Sequence, residues 1–261
     1  MTTILAMSTS PAALGGTKRA AEIVRDVRVA EGANGICYAA TGEIAFPGSE
    51  VERMVNAVPA AIAAALKRKA YYFVPLAIAE GDETLIAERY DVQLSDRASC
   101  HRNVNQGTSQ CVFISTRLME DRFSIAFEFY INVGHAFVEQ VGVSPEFADL
   151  VWTQVEEGVR GETSLDAHEL RAKSAVRNAG SPGMRVMDEK AKTGFLNAAF
   201  SDAIAIYMLS LYLDVDYWDL RERDYPLLAP AALAARVKKI AEIFPPNPGF
   251  DFNIYYRRRS S

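Results

Sequence analysis

Two cysteines and two histidines are the residues of this sequence best suited by type to bind a metal. Cys100 and His101 are adjacent, and Cys111 and His135 follow later in the chain. A β-hairpin predicted below brings Cys111, at the start of one strand, next to His135, just past the end of the other. The loop carrying Cys100 and His101 leads to the same end of the hairpin. Two thiolates and two imidazoles form a complete ligand set for tetrahedral zinc, which makes zinc a candidate cofactor.

The spacing of these four residues also supports a structural alternative. Zinc motifs usually place their ligands in close pairs such as C-x₂-C, and this sequence does not reproduce such a pair. Adjacent residues such as Cys100 and His101 rarely both ligate one metal. In the alternative, Cys111 is a small buried hydrophobic residue and His135 caps or borders a helix.

The hairpin is predicted from alternating apolar residues on both sides of Glu120-Asp121. Residues 108–119 and 122–132 would be its strands, joined by a two-residue turn. That register gives one almost wholly apolar face, which would pack on the core. The opposite face mixes aromatic rings, a carboxylate, a guanidinium, a thiol and hydroxyls, with Cys111 opposite Tyr130, Phe113 opposite Glu128, Ser115 opposite Ala126 and Arg117 opposite Ser124.

This mixed face predicts either the floor of a small-molecule pocket or an ordinary solvent face. In a pocket, the ligand would contact Cys111, Phe113, Arg117 and Tyr130. A Glu128 carboxylate desolvated there would act as a general base, because burial raises the pKa of a carboxyl group. On a solvent face, Glu128 and Arg117 would form a cross-strand ion pair.

His135 is the second candidate catalytic residue. It precedes Glu139 by four positions, so the two share one face of the helix expected after the second hairpin, with Glu128 nearby. The group resembles a sparse acid–base or metal set, but it lacks the second histidine of the H-E-x-x-H motif. Structural hydrogen bonds or a solvated helix face are the alternative.

Asp202 is a carboxylate within an apolar run, in a helix predicted over about residues 186–213. Such a group must be exposed on a narrow polar stripe, paired with another residue, or functional. Asn197, Ser201 and Asp202 together could form an exposed stripe, which is the simplest interpretation.

The elements that must position these residues predict an α+β fold. A four-stranded antiparallel meander over about residues 71–132 begins with a hairpin that turns at Gly81-Asp82. Residues 95–107 are expected to form the loop between the two hairpins. Pro75 is expected to place the first strand, residues 71–80, at a sheet edge, because proline has no N–H to donate.

Helical patterns precede and follow the meander. The capping box of Ser49 and Glu52 opens an N-terminal helix that Pro59 should break or kink. Residues 143–261 are predicted to be mainly helical. Because no linker or internal repeat divides the chain, we expect a single domain, with its sheet within residues 1–142.

Composition excludes several classes of protein. The chain has 261 residues, of which 49% are hydrophobic and 23% charged, as is typical of a globular protein. Its formal net charge of −5 argues against nucleic-acid binding, and its three cysteines suit a reducing compartment. Residues 195–213 are too short and too polar for a usual membrane span, and residues 1–7 lack the features of a signal peptide. These observations predict a cytoplasmic protein that binds neither nucleic acid nor membrane.

Three hypotheses for function remain, and no run of residues matches a known family motif by motif. The first is a small-molecule-binding protein, with or without enzymatic activity, that uses the mixed face. The second is a zinc-dependent enzyme or zinc-stabilised domain. The third is a homo-oligomeric structural or interaction protein, because the helices carry more apolar surface than one sheet face buries, which predicts a homodimer. The first is favoured because it requires no unusual spacing.

Overall fold

The computed structural model describes residues 17–44, 47–89, 97–119, 121–174, 188–220 and 225–254. The strands are β1 (Lys18–Arg19), β2 (Ala30–Glu31), β3 (Cys37–Ala40), β4 (Lys69–Val74), β5 (Leu76–Glu80), β6 (Glu83–Ala87), β7 (Ala98–Ser99), β8 (His101–Gln106) and β9 (Ser109–Ser115). The helices are α1 (Ala20–Asp26), α2 (Gly48–Asn56), α3 (Ala60–Ala63), α4 (Arg122–Val141), α5 (Pro145–Glu156), α6 (Leu165–Ser174), α7 (Glu189–Tyr212) and α8 (Pro230–Ile243). The α+β class is therefore confirmed, and the predicted helix break at Pro59 separates α2 from α3.

The strands form two sheets rather than the single predicted meander. One sheet has the order β1-β6-β5-β7 and is antiparallel throughout. The other has the order β2-β3-β4-β9-β8, in which β4 pairs in parallel with β3 and β9 while the two outer pairs are antiparallel. Most strand pairs are thus antiparallel, as expected, and the parallel ones lie at the centre of the second sheet.

The first predicted hairpin exists, but the strand leading into it changes sheets. Strands β5 and β6 turn at Gly81-Asp82 with Glu80 opposite Glu83, and Gly81 has φ of +57°, a conformation that favours glycine. Residues 71–80 are divided at Pro75, so that β4 lies inside the second sheet and β5 inside the first. The expectation that Pro75 marks a sheet edge is wrong, because the proline lies between two strands and interrupts neither ladder.

Residues 122–132, predicted to be the second strand of the second hairpin, belong to helix α4. The Asp121 carboxylate caps the helix by accepting a hydrogen bond from the Ser124 N–H at 2.8 Å. Buried Ile125, Phe129 and Val133 recur at helical spacing. The segment is so rich in apolar residues that it is also compatible with strand alternation, which is why the strand prediction was wrong. Glu120, the other half of the predicted turn, lies outside the described residues.

The hairpin partner of β9 is β8, which comes from the segment predicted to be a loop. Gly107-Thr108 joins them, with Gln106 opposite Ser109, and Gly107 has φ of +60°. Strand β8 lies at the edge of the second sheet, and its polar sequence suits that position. This hairpin, rather than one that includes residues 122–132, determines where His101 lies.

The main hydrophobic core lies between the second sheet and the helices, and α7 runs through it. Within the described ranges, α7 is the one helix long and apolar enough to cross a membrane, yet 78% of its most apolar window is buried inside the molecule. Such burial is typical of the core helix of a soluble protein. It also accounts for the apolar surface from which the homodimer was predicted.

Candidate functional site

Helix α4 carries three polar residues on one face, at the margin of the main core. Glu128, Asn132 and His135 are spaced at i, i+4 and i+7, so they lie on one face of the helix. The Asn132 amide is buried and donates both to the Glu128 carbonyl at 2.9 Å and to Glu128 Oε1 at 3.1 Å. This pair of bonds holds the Glu128 side chain along the helix.

The second element of the site is the first residue of β8. His101 pairs with Ile114 of β9, and Ile114 belongs to the main core, so His101 lies on the sheet face that meets α4. Its Nδ1 lies 2.5 Å from Glu128 Oε1, with the two side chains 39% and 21% exposed. The short distance and partial burial make this the tightest polar contact between the sheet and α4 in the described part of the chain.

His135 lies one helical turn beyond Asn132 and contacts a different helix. Its Nδ1 is 3.3 Å from Ser201 Oγ on α7. Partial burial lowers the pKa of His135, and the nearby imidazole of His101 lowers it further, while the negative charges of Asp166 and Glu128 oppose the change. The neutral form of the His135 imidazole is therefore favoured, and the residue is exposed to solvent.

Cys100 borders the site but is not an activated nucleophile. It precedes His101 and is exposed to solvent. Partial burial of the thiol and the negative charge of Glu128 both raise the pKa of Cys100, so the reactive thiolate is disfavoured. Ser201 is equally unsuited to be a nucleophile, because it is completely buried and its Oγ donates to the Ala198 carbonyl at 3.0 Å.

The four predicted ligand-binding residues do not form a pocket floor. Cys111 and Phe113 are buried in a smaller core on the other face of the second sheet. The Tyr130 hydroxyl is buried and donates to the Met54 carbonyl at 2.9 Å. Arg117 pairs with Glu43 rather than with Glu128. The predicted mixed face is wrong because it depended on residues 122–132 being a strand.

The predicted zinc set is not assembled either. His101 lies on the face of Ile114, whereas Cys111 lies on the opposite face of the same sheet, because successive residues of a strand alternate. Among the described residues, no group of three or more histidine, cysteine, aspartate or glutamate side chains is arranged to hold a metal ion. The fold does bring His101 and Glu128 together with His135 nearby, through helix α4 rather than through a hairpin.

Asn132, Ser201 and Asp166 are site residues that sequence reasoning missed. The i, i+4, i+7 spacing of Glu128, Asn132 and His135 was visible in the sequence and would have indicated this polar face once α4 was assigned as a helix. Ser201 was expected on an exposed polar stripe, but it is buried. No local signal connects Asp166 to His135, because the two are distant in sequence.

Next to the site, a buried polar network built on two ion pairs joins α5, α6, α8 and the chain before α6. The carboxylate of Glu162 is completely buried and accepts from Arg236 Nη1 and from Arg171 Nη1, each at 2.8 Å. Arg236, also completely buried, donates through Nε to Gln154 Oε1 at 2.8 Å. The partners satisfy the charge of Glu162, so we assign this network a structural role.

Asp202 is the residue after Ser201 and extends this buried polar region. It accepts a hydrogen bond from Thr163 Oγ1 at 2.8 Å. Burial raises the pKa of Asp202 to about 6, against the opposing influence of its hydrogen bonds from Ser164 and Thr163 and the charge of Arg236. Asp202 is thus paired inside the protein and not exposed on a polar stripe.

Comparisons with protein-family models, with curated proteins and with solved structures give no significant match.

Proposed function

We propose that the protein binds a small molecule at the site formed by His101, Glu128 and His135 and transfers a proton to or from it. The observation that supports this proposal is the 2.5 Å contact between His101 Nδ1 and Glu128 Oε1 at a partly exposed position. In the neutral ring, Nδ1–H donates to the carboxylate, and the Nε2 lone pair becomes the atom that can take up a proton. Glu128 then stabilises the imidazolium that forms, as the carboxylate of a catalytic triad does.

The neighbouring groups suit acid–base chemistry better than covalent catalysis. Cys100 has a raised pKa, and Ser201 is inaccessible, so neither provides a nucleophile. His135 adds a neutral imidazole close to the His101–Glu128 pair. We therefore assign His101 as the general base, Glu128 as the residue that orients it, and His135 as a hydrogen-bonding partner of the ligand.

A screen of small polar fragments, monitored through the imidazole resonances of ¹⁵N-histidine-labelled protein, tests the proposal. The chain has three histidines, and the third, His168, stacks on Tyr225 and serves as an internal reference. A ligand of the site should shift the resonances of His101 and His135 and leave that of His168 in place. Fragments that bind elsewhere without moving the His101 and His135 resonances would count against the proposal.

Location and assembly are further parts of the proposal. We propose a cytoplasmic protein that binds no nucleic acid, on the basis of its net charge of −5 and few cysteines. Residues 1–7, from which the lack of a signal peptide was predicted, lie outside the described residues. The homodimer stays a prediction, and it has lost its main support because α7 is buried within the molecule. Sedimentation equilibrium measures the oligomeric state directly.

A further inference from the structure

We propose that Ser201 is a positioning residue that holds His135 in the tautomer with the proton on Nδ1. The Nε2 of His135 is then always a hydrogen-bond acceptor, and the site selects ligands that donate. The tautomer is a property of the ligand-free protein, whereas the selection of donor ligands rests on the proposed function.

The Ser201 hydroxyl has a single proton to donate. That proton is donated to the Ala198 carbonyl at 3.0 Å, and a carbonyl oxygen can only accept. Ser201 Oγ is therefore left as an acceptor toward His135 Nδ1, which lies 3.3 Å away. For a hydrogen bond to form there, Nδ1 must carry the proton.

The packing of α4 on α7 keeps this contact in place. Gly134, the residue before His135, lies so close to α7 that a Cβ atom at that position would be 2.6 Å from the Ser201 carbonyl oxygen. The two helix backbones therefore meet where the hydroxyl contacts the imidazole. Because Ser201 is completely buried, water does not compete for its Oγ.

The same tautomer follows for His101 from a different partner. A carboxylate oxygen of Glu128 accepts, so in its neutral form the His101 ring donates Nδ1–H to it and exposes Nε2 as an acceptor. The site thus offers two acceptor nitrogens, with the carboxylates of Glu128 and Asp166 close to His135. A ligand complementary to this arrangement carries hydroxyl, amine or amide N–H groups, and an anion is disfavoured.

The tautomer can be measured by long-range ¹H–¹⁵N correlation spectroscopy of the ¹⁵N-histidine-labelled protein without ligand. At about pH 8, above the usual imidazole pKa of about 6.5, the spectrum distinguishes a protonated from an unprotonated ring nitrogen. We expect the wild-type His135 to be protonated on Nδ1. In Ser201→Ala the acceptor is lost, so Nε2–H should appear in a substantial fraction of molecules.

Ser210→Ala is the matched control. Ser210 lies on the same helix and donates to the Tyr207 carbonyl at 2.7 Å, as Ser201 donates to Ala198. This variant loses an equivalent hydroxyl, and we expect the His135 tautomer to stay unchanged. A general disturbance of α7 would alter both variants alike.

The proposal is overturned if the wild-type His135 is protonated on Nε2, or if Ser201→Ala leaves Nδ1–H fully populated. Should Ser201→Ala fail to fold, the wild-type spectrum alone decides. Ligand selection is tested by titrating methylammonium and acetate at equal ionic strength, with the His135 Nε2 resonance as the readout. Preferential binding of acetate contradicts the selection of hydrogen-bond donors. A fragment screen that finds no ligand for the site contradicts the proposed function but leaves the tautomer of His135 unaffected.

Discussion

Replacement of Asp202 by asparagine should abolish a specific part of the pH dependence of stability. Asp202 is 4% exposed and accepts a hydrogen bond from Thr163 Oγ1 at 2.8 Å. Asparagine has nearly the same shape, and its carbonyl oxygen can accept the same hydrogen bond. The variant therefore removes a titratable group while it keeps the packing.

The size of the effect follows from the pKa of Asp202, which is raised from 3.8 to about 6 in the folded protein. The folded state binds the proton more tightly than the unfolded state, so the contribution to stability is fully present below the unfolded pKa. It is lost as pH rises through the folded pKa. A shift of about two units at 1.36 kcal/mol per unit corresponds to about 3 kcal/mol in full. Because pH 4 is already slightly above the unfolded pKa of 3.8, about 2 kcal/mol of this is lost between pH 4 and pH 7.

Urea unfolding of both proteins at several pH values measures this contribution. Other carboxyl groups, such as Asp121, have lowered pKa values and act in the opposite direction, so the informative quantity is the difference between wild type and Asp202→Asn. Relative to the variant, the wild type should lose about 2 kcal/mol of unfolding free energy from pH 4 to pH 7. A difference that does not change with pH would show that Asp202 does not titrate with a raised pKa in the folded protein.

Further predictions concern buried polar groups. Tyr71 Oη is the one buried side-chain nitrogen or oxygen in the described ranges without a hydrogen-bond partner, so Tyr71→Phe should raise the unfolding free energy by about 1 kcal/mol. Tyr130→Phe, which loses the bond to the Met54 carbonyl, should lower it by a similar amount, and chemical denaturation compares the two. Arg236→Met should lower it by about 3–5 kcal/mol, because it removes one partner of a completely buried carboxylate. Lys173→Ala breaks an exposed pair with Glu169 and should leave the unfolding free energy nearly unchanged. Equal losses in Arg236→Met and Lys173→Ala would contradict the structural role assigned to the buried network.

The helices and the class of fold were predictable because their signals are local. Helix α5 begins at Pro145, a typical first helical residue, and the break at Pro59 follows from the absence of its N–H. The hairpin at Gly81-Asp82 has a similarly local cause, because Gly81 adopts a positive φ.

The strand partners and the site geometry were not predictable, because they depend on contacts distant in sequence. Phe123, Phe127 and Phe129 suit a strand by propensity, and only packing against α7 and the sheet decides in favour of a helix. With that segment assigned to a strand, Glu128 was paired with Phe113 instead of His101. The expected meeting of Cys100, His101 and Cys111 at one end of the hairpin was also wrong, because His101 lies opposite Ile114 near the end of β9, whereas Cys111 lies near its start.

The role of His101 in the binding site is tested most sharply by the affinity for the best fragment from the screen. This affinity is compared among His101→Ala, His168→Ala and the wild type. His101 is the proposed proton acceptor, whereas His168 lies on α6 and stacks on Tyr225. We predict that His101→Ala weakens binding about tenfold or more, which corresponds to at least about 1.4 kcal/mol, and that His168→Ala leaves it unchanged. Equal affinity of the wild type and His101→Ala would show that His101 takes no part in binding.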